Sequence, residues 1–204
     1  MLDGFARRKI DPLLMRLAGL LARAGITADQ VTVAGFVIGL AAALAIALGG
    51  FWTGLVLLLA SRLADGLDGS LAKLTRPTDF GGYLDIVLDF GFYGIIPLGF
   101  VFVDPSANAL AGATLIFSFY VNGASFLAYA TLAEKRQLAT AIRGTKSFFF
   151  TTGLAEATET LAVFVLACLF PAWFAVLAWV FAAICFYTAL ARILQARSTF
   201  RDVE

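Results

Sequence analysis

Four aspartates in one short segment, "LADGLDGSLAKLTRPTDFGGYLDIVLDFG" at residues 63–91, are the side chains best suited to chemistry in this chain. Asp65 and Asp68 lie three apart and Asp85 and Asp89 four apart, so on helices each pair projects from one face. Their surroundings are apolar, where carboxylates are costly and mark a cavity, an ion path or a salt bridge. Pairing with Arg62, Lys73 or Arg76 would neutralise part of the set, not all of it. Anionic oxygens held together repel unless divalent cations join them, and hard oxygen ligands suit Mg²⁺, Mn²⁺ or Ca²⁺. Two-metal chemistry at phosphorus is the physical expectation. Gly66, Gly69, Gly81 and Gly82 would let a bulky anion come close, although tight helix packing accounts for any one of them equally well. The chain has no histidine, which removes imidazole bases, imidazole metal ligands and the Ser-His-Asp triad. Cys168 and Cys185 fall inside apolar runs without metal-ligand spacing and read as small core residues.

The elements that must position these carboxylates are membrane helices. Of 204 residues, 61% are apolar and 14% charged, against roughly a quarter charged in soluble domains, and the mean hydropathy is +0.90. The reading is all-α: one domain over residues 1–204, polytopic, with six transmembrane helices at about 31–48, 52–74, 81–103, 110–132, 148–170 and 172–195. Residues 1–25 read as an amphipathic interfacial helix, with Leu2, Phe5, Leu13, Leu17 and Leu20 on one stripe and Arg7, Arg8, Asp11 and Arg16 largely elsewhere. No removable signal peptide is expected there.

Lys and Arg fall on one side of these spans. Arg7, Arg8, Lys9, Arg16 and Arg23 precede the first; Lys73 and Arg76 follow the second; Lys135, Arg136, Arg143 and Lys146 join the fourth to the fifth; Arg192, Arg197 and Arg201 follow the last. The opposite loops, near Gly49, Asp104 and Pro171, hold none. The positive-inside rule therefore puts both termini, and with them the aspartates, at the cytoplasmic side of the inner membrane. The net charge of +1 gives no footprint for nucleic acid.

Written out, Asp65-x2-Asp68-Gly69-x2-Ala72-Lys73-x7-Gly81-x3-Asp85-x3-Asp89 resembles the signature of the CDP-alcohol phosphatidyltransferase family (class I), Asp-x2-Asp-Gly-x2-Ala-Arg-x(7 or 8)-Gly-x3-Asp-x3-Asp. It departs at Lys73, where the family mostly has Arg; charge is kept and the planar fork lost. The resemblance implies a transferase that moves the phosphatidyl group of CDP-diacylglycerol to an alcohol acceptor and releases CMP. It implies that Asp65, Asp68 and Asp85 hold two Mg²⁺ or Mn²⁺ ions, that Asp89 contributes to that site and is the base toward the acceptor hydroxyl, and that Gly69, Ala72, Lys73 and Gly81 line the nucleotide pocket. It also implies a homodimer among membrane lipids. The same signature serves the alternative in which a CDP-linked choline- or ethanolamine-type headgroup passes to a lipid hydroxyl. A six-span metal-cation transporter is a further alternative from a different class, without the broken-helix pair such transporters carry.

Several residues outside the signature bear on the substrates. "ITADQVTVAG" resembles a family stretch close to the cytidine, which makes Thr32 a nucleotide-contact candidate, while helix capping by Thr27 or Asp29 explains the segment as well. Glu156 and Glu159 read as one face of the fifth span; an Arg62–Glu159 ion pair is the simplest use of Glu159, and Glu156 is a candidate for a cationic or polyhydroxyl acceptor. Arg143, Lys146 and Arg192 read either as topological charge or as an anion pocket for an acceptor or donor phosphate. These two groups pull the acceptor in opposite directions, so its identity stays open among glycerol phosphate, inositol phosphate, inositol, serine and choline.

Overall fold

Short polar punctuation divides the apolar chain into helices. The structure, a computed structural model, describes residues 3–136 and 155–201. Among the described residues there is no strand, and the helices are α1 (Asp3–Arg23), α2 (Ala28–Ala47), α3 (Phe51–Leu74), α4 (Asp79–Val103), α5 (Pro105–Lys135), α6 (Ala157–Leu169), a 3-10 turn (Pro171–Trp173) and α7 (Phe174–Arg201). Gly25 and Gly49, at φ of 75° and 79°, follow α1 and α2 in the left-handed conformation that glycine adopts without strain. Thr27 starts α2 with a reciprocal cap: its hydroxyl accepts from the Gln30 amide at 3.3 Å, and the Gln30 side chain accepts from the Thr27 amide at 3.0 Å. Thr78 caps α4 by accepting from the Gly81 amide at 3.0 Å, just after Pro77, which has no amide hydrogen to donate. Asp104 caps α5, accepting from the Ala107 amide at 3.0 Å. Asn108 then donates to the Phe100 carbonyl at 2.8 Å, satisfying one of the acceptors left over at the end of α4.

α2 is the shared partner of α3 and α4 and packs along both. Two glycines one turn apart make this possible. A Cβ on Gly35 would lie 3.0 Å from Ala64 Cβ, and one on Gly39 would lie 2.7 Å from Phe92 Cδ2 and 3.1 Å from Ser61 Oγ. Ser61 in turn donates to the Gly35 carbonyl at 2.7 Å. Behind this contact the core is aromatic: Phe100 stacks on Phe174 with centroids 4.6 Å apart, and Phe164 meets Phe92 and Phe119 edge-on. α5 packs on α4 and α7, and α6 bridges α3 to α7.

Four helices are long and apolar enough to cross a membrane by length and composition: Ala28–Ala47, Asp79–Val103, Pro105–Lys135 and Pro171–Arg201. The other two expected spans differ for physical reasons. α3 has the length, at 24 residues, but carries Arg62, Asp65, Asp68 and Lys73. α6 has 13 residues, about 20 Å of rise against a hydrocarbon core of about 30 Å; residues 148–154 of that expected span lie outside the described residues. Large apolar side chains such as Val56, Phe102, Leu110 and Tyr120 stand exposed on the outer faces, as an integral membrane protein requires. α1 is present; its Leu14 and Ala18 are buried, and Ala18 packs with Val31 and Leu71. Leu13 and Leu20 of the expected stripe face outward. Gly66 admits the bundle-facing side of α1: its missing side chain leaves room for Leu14 Cδ1, 3.2 Å from where a Cβ would stand.

Candidate active site

The α3–α4 connection, residues 75–78, brings two acidic helix ends to one side of α2. Ligand oxygens of Asp65, Asp85 and Asp89 all lie within 4.8 Å of one another. With Thr32, Gly35, Ser61 and Arg62 they line a cleft of about 10 Å³, room for about one water-sized body. Asp68 stands apart from this trio. It is 3% exposed, its Oδ2 has no hydrogen-bond partner, and the Thr32 hydroxyl lies beside it while donating to the Ala28 carbonyl at 3.0 Å. A trio of close carboxylates and a buried, unpartnered carboxylate oxygen are hard anionic donors, and this set fits a divalent cation.

Arg62 enters the cluster from α3. Its Nη1 lies 2.7 Å from Asp89 Oδ1 and 3.4 Å from Asp65 Oδ1, and its guanidinium carbon sits 3.6 Å from the Phe92 ring centroid. The expected Arg62–Glu159 pair is therefore replaced by Arg62–Asp89. The reason is on α6: that helix starts only at Ala157, Glu159 lies in its first turn, and the buried Glu159 Oε2 has no partner. Glu156 is the N-cap, with extended backbone at φ −113° and ψ −179°, so Glu156 and Glu159 do not share a helical face as expected.

The glycines separate into two kinds. Gly81 is confined: a Cβ there would stand 2.9 Å from both Asp29 Oδ1 and Thr78 Oγ1, and Gly66 is confined by Leu14. Gly69 and Gly82 face open space, with nothing within 4 Å of an added Cβ. Ala72 is half-buried and Lys73 exposed one turn beyond Gly69.

Arg192 lies elsewhere, on α7. Its Nη1 donates to the Asn122 carbonyl at 2.9 Å, to Asn122 Oδ1 at 3.0 Å and to Ser125 Oγ at 2.7 Å, and Glu156 acts on it electrostatically. Arg143 and Lys146 lie outside the described residues. Sequence reasoning missed Asn122 and Ser125; the available signal was an amide and a hydroxyl three apart on α5, a spacing that puts both on one face.

The sequence model of the CDP-alcohol phosphatidyltransferases matches residues 25–191, which contain the whole acidic site. The chain belongs to the CDP-alcohol phosphatidyltransferase family. It is 47% identical to the inner membrane protein YnjF of Escherichia coli (strain K12) over 204 residues, 100% of this chain and 99% of that protein. To the archaetidylinositol phosphate synthase of Methanothermobacter thermautotrophicus it is 44% identical over 94 residues, 46% of this chain and 45% of that one. The fold is that of the phosphatidylinositol phosphate synthase PgsA1 of Mycobacterium tuberculosis. With the crystal structure of PgsA1 with CDP-DAG bound, the TM-score is 0.70 at 22% identity over 91% of this chain and 94% of that one. With PgsA1 in complex with manganese and citrate it is 0.69 at 23% identity, over 88% and 87%. The acidic motif is carried by α3 and α4, which both pack on α2.

Proposed function

We propose that this protein moves the phosphatidyl group of CDP-diacylglycerol onto an alcohol hydroxyl and releases CMP, at the cytoplasmic face of the membrane. The observation that carries the reading is the convergence of Asp65, Asp85 and Asp89 within 4.8 Å, beside buried Asp68, on the family's motif. Asp65, Asp68 and Asp85 would hold Mg²⁺ or Mn²⁺, with Asp89 contributing. A cation held by these residues would supply the charge that neutralises the donor diphosphate and the departing CMP. Asp89 accepts the proton of the acceptor hydroxyl, whose oxygen forms the new bond to the phosphatidyl phosphorus as the bond to CMP breaks. Gly69 and Gly82, open to their surroundings, leave the nucleotide a close approach to the backbone, and Lys73 supplies a positive charge there. The manganese-bound and CDP-DAG-bound PgsA1 structures and the one-sided Lys and Arg distribution support the reading.

Inositol phosphate is the first acceptor to test, because archaetidylinositol phosphate synthase is among the relatives. A second reading, an unphosphorylated polyol, is favoured by Glu156, which offsets the charge of Arg192. The wider arrangement we infer is six crossings, with α3 and α6 completing the bundle, α1 at the cytoplasmic interface, both termini inside, and a homodimer. The deciding experiment supplies purified protein with CDP-diacylglycerol and Mn²⁺, screens inositol phosphate, inositol, glycerol phosphate and serine, and identifies the lipid by mass spectrometry. CMP and one matching phospholipid are expected. No CMP with any acceptor overturns the proposal.

A further inference from the structure

Arg62 is a cation inside a cluster that must also attract cations. Its side chain is 13% exposed. One face of the guanidinium lies on Phe92, itself fully buried in the core. Its Nη2 donates to Ser61 Oγ at 3.4 Å, and Ser61 is tied to the Gly35 carbonyl. These partners belong to the tight α2–α3–α4 contact, so the guanidinium cannot swing aside without disturbing the packing that forms the site. It is a fixed charge. Its Nη1 lies against Oδ1 of both Asp89 and Asp65, and the two carboxylates also lie against each other.

Two effects follow from that placement. The positive charge offsets part of the repulsion among three carboxylates whose oxygens lie within 4.8 Å, so holding them together costs less before any metal arrives. The same charge opposes a divalent cation at close range, where Coulomb energies in a partly buried site are substantial. We propose that Arg62 is a positioning residue that fixes the orientation of Asp89 and Asp65 and lowers the affinity of the cluster for its divalent cation. This rests on the metal site of the proposed function. Held by Arg62, the Asp89 carboxylate is fixed in the orientation from which it receives the acceptor's proton, as partners behind metal ligands commonly orient them.

The test compares wild type with Arg62→Met, which keeps an apolar stem over Phe92, and Arg62→Lys, which keeps the charge. Full-length protein in detergent is melted in EDTA and in saturating Mn²⁺, and Mn²⁺ binding is titrated by calorimetry. In Arg62→Met the Tm is expected to fall in EDTA and to recover most of that loss in Mn²⁺, because the cation takes over the neutralisation. Its Mn²⁺ Kd is expected to tighten by about ten-fold or more once the opposing charge is gone. Arg62→Lys is expected to keep a Mn²⁺ Kd within about three-fold of wild type. In turnover, Arg62→Met should lower kcat with little change in the KM for CDP-diacylglycerol.

An equal Tm loss in EDTA and Mn²⁺ with unchanged Kd would make Arg62 a structural ion pair alone and overturn the inference. If Arg62→Met does not fold in either buffer, Arg62→Gln takes its place: a Mn²⁺ Kd tightened by about ten-fold supports the inference, and a Kd equal to wild type overturns it. Wild-type protein that binds no Mn²⁺ overturns the metal reading itself and this inference with it. Wild-type binding with an unaltered Arg62→Met overturns this inference alone.

Discussion

At the residue scale, Asp68 and Asp89 occupy different environments and their loss should be felt alike for different reasons. Asp68→Asn removes the charge of a buried oxygen that has no protein partner; Asp89→Asn removes the base and leaves Arg62 without its closest carboxylate. Each is expected to lower CMP release by at least about 100-fold, the lower range for loss of a general base, while circular dichroism keeps its helical signal. Wild-type rates in both would refute the site. The glycines give a finer test. Gly69→Ala faces open space and should gain up to about 1 kcal/mol of helix stability while raising the KM for the CDP donor. Gly81→Ala meets Asp29 and Thr78 and should lower the Tm. Matching Tm changes in the two variants would contradict this division. The motif spacing made the four aspartates legible in the sequence, since helical periodicity alone sets which of them share a face. It could not make Arg62 legible, because a basic residue three before Asp65 reads equally as a partner of Asp65, Asp89 or Glu159 until the helices are packed.

At the element scale, helix starts were more legible than helix partners. Thr27, Thr78 and Asp104 are local signals, and each caps the helix after it. Asp104 allows a pH test. The Ser106 hydroxyl and the Ala107 amide donate to its carboxylate and hold it below the ordinary carboxylate range. Its contribution is therefore complete above the unfolded pKa of about 4 and is lost as pH falls through the lower folded value. Asp104→Ala should lower the Tm at pH 7, and the gap to wild type should close in strong acid; a gap independent of pH would remove the charged cap from the account. The start of α6 was less legible. Residues 155 and 156 read as a continuing apolar span, yet Glu156 is extended and the helix begins after it. On α1 the residues that pack on the bundle, Leu14 and Ala18, were not legible, because the groove over Gly66 belongs to α3 and cannot be read from α1.

At the scale of the whole molecule, orientation is the property most open to test. With the proposed topology, Ala107→Cys lies outside and Ser198→Cys inside, while Cys168 and Cys185 are buried and should not contribute background. A membrane-impermeant maleimide is expected to label Ala107→Cys in intact cells and Ser198→Cys only after permeabilisation; the reverse pattern would invert the protein and its site. The sequence by itself determined the membrane setting, the helical class and the spacing of the aspartates, because hydrophobicity, charge sidedness and helical period are properties of nearby residues. Tertiary structure alone decided that Asp65, Asp85 and Asp89 meet while Asp68 is buried beside them, that Arg62 joins Asp89, and that Gly69 is open where Gly81 is filled. Those outcomes depend on how closely α3 and α4 approach α2 across Gly35 and Gly39, and such distances arise from packing between segments far apart in the chain.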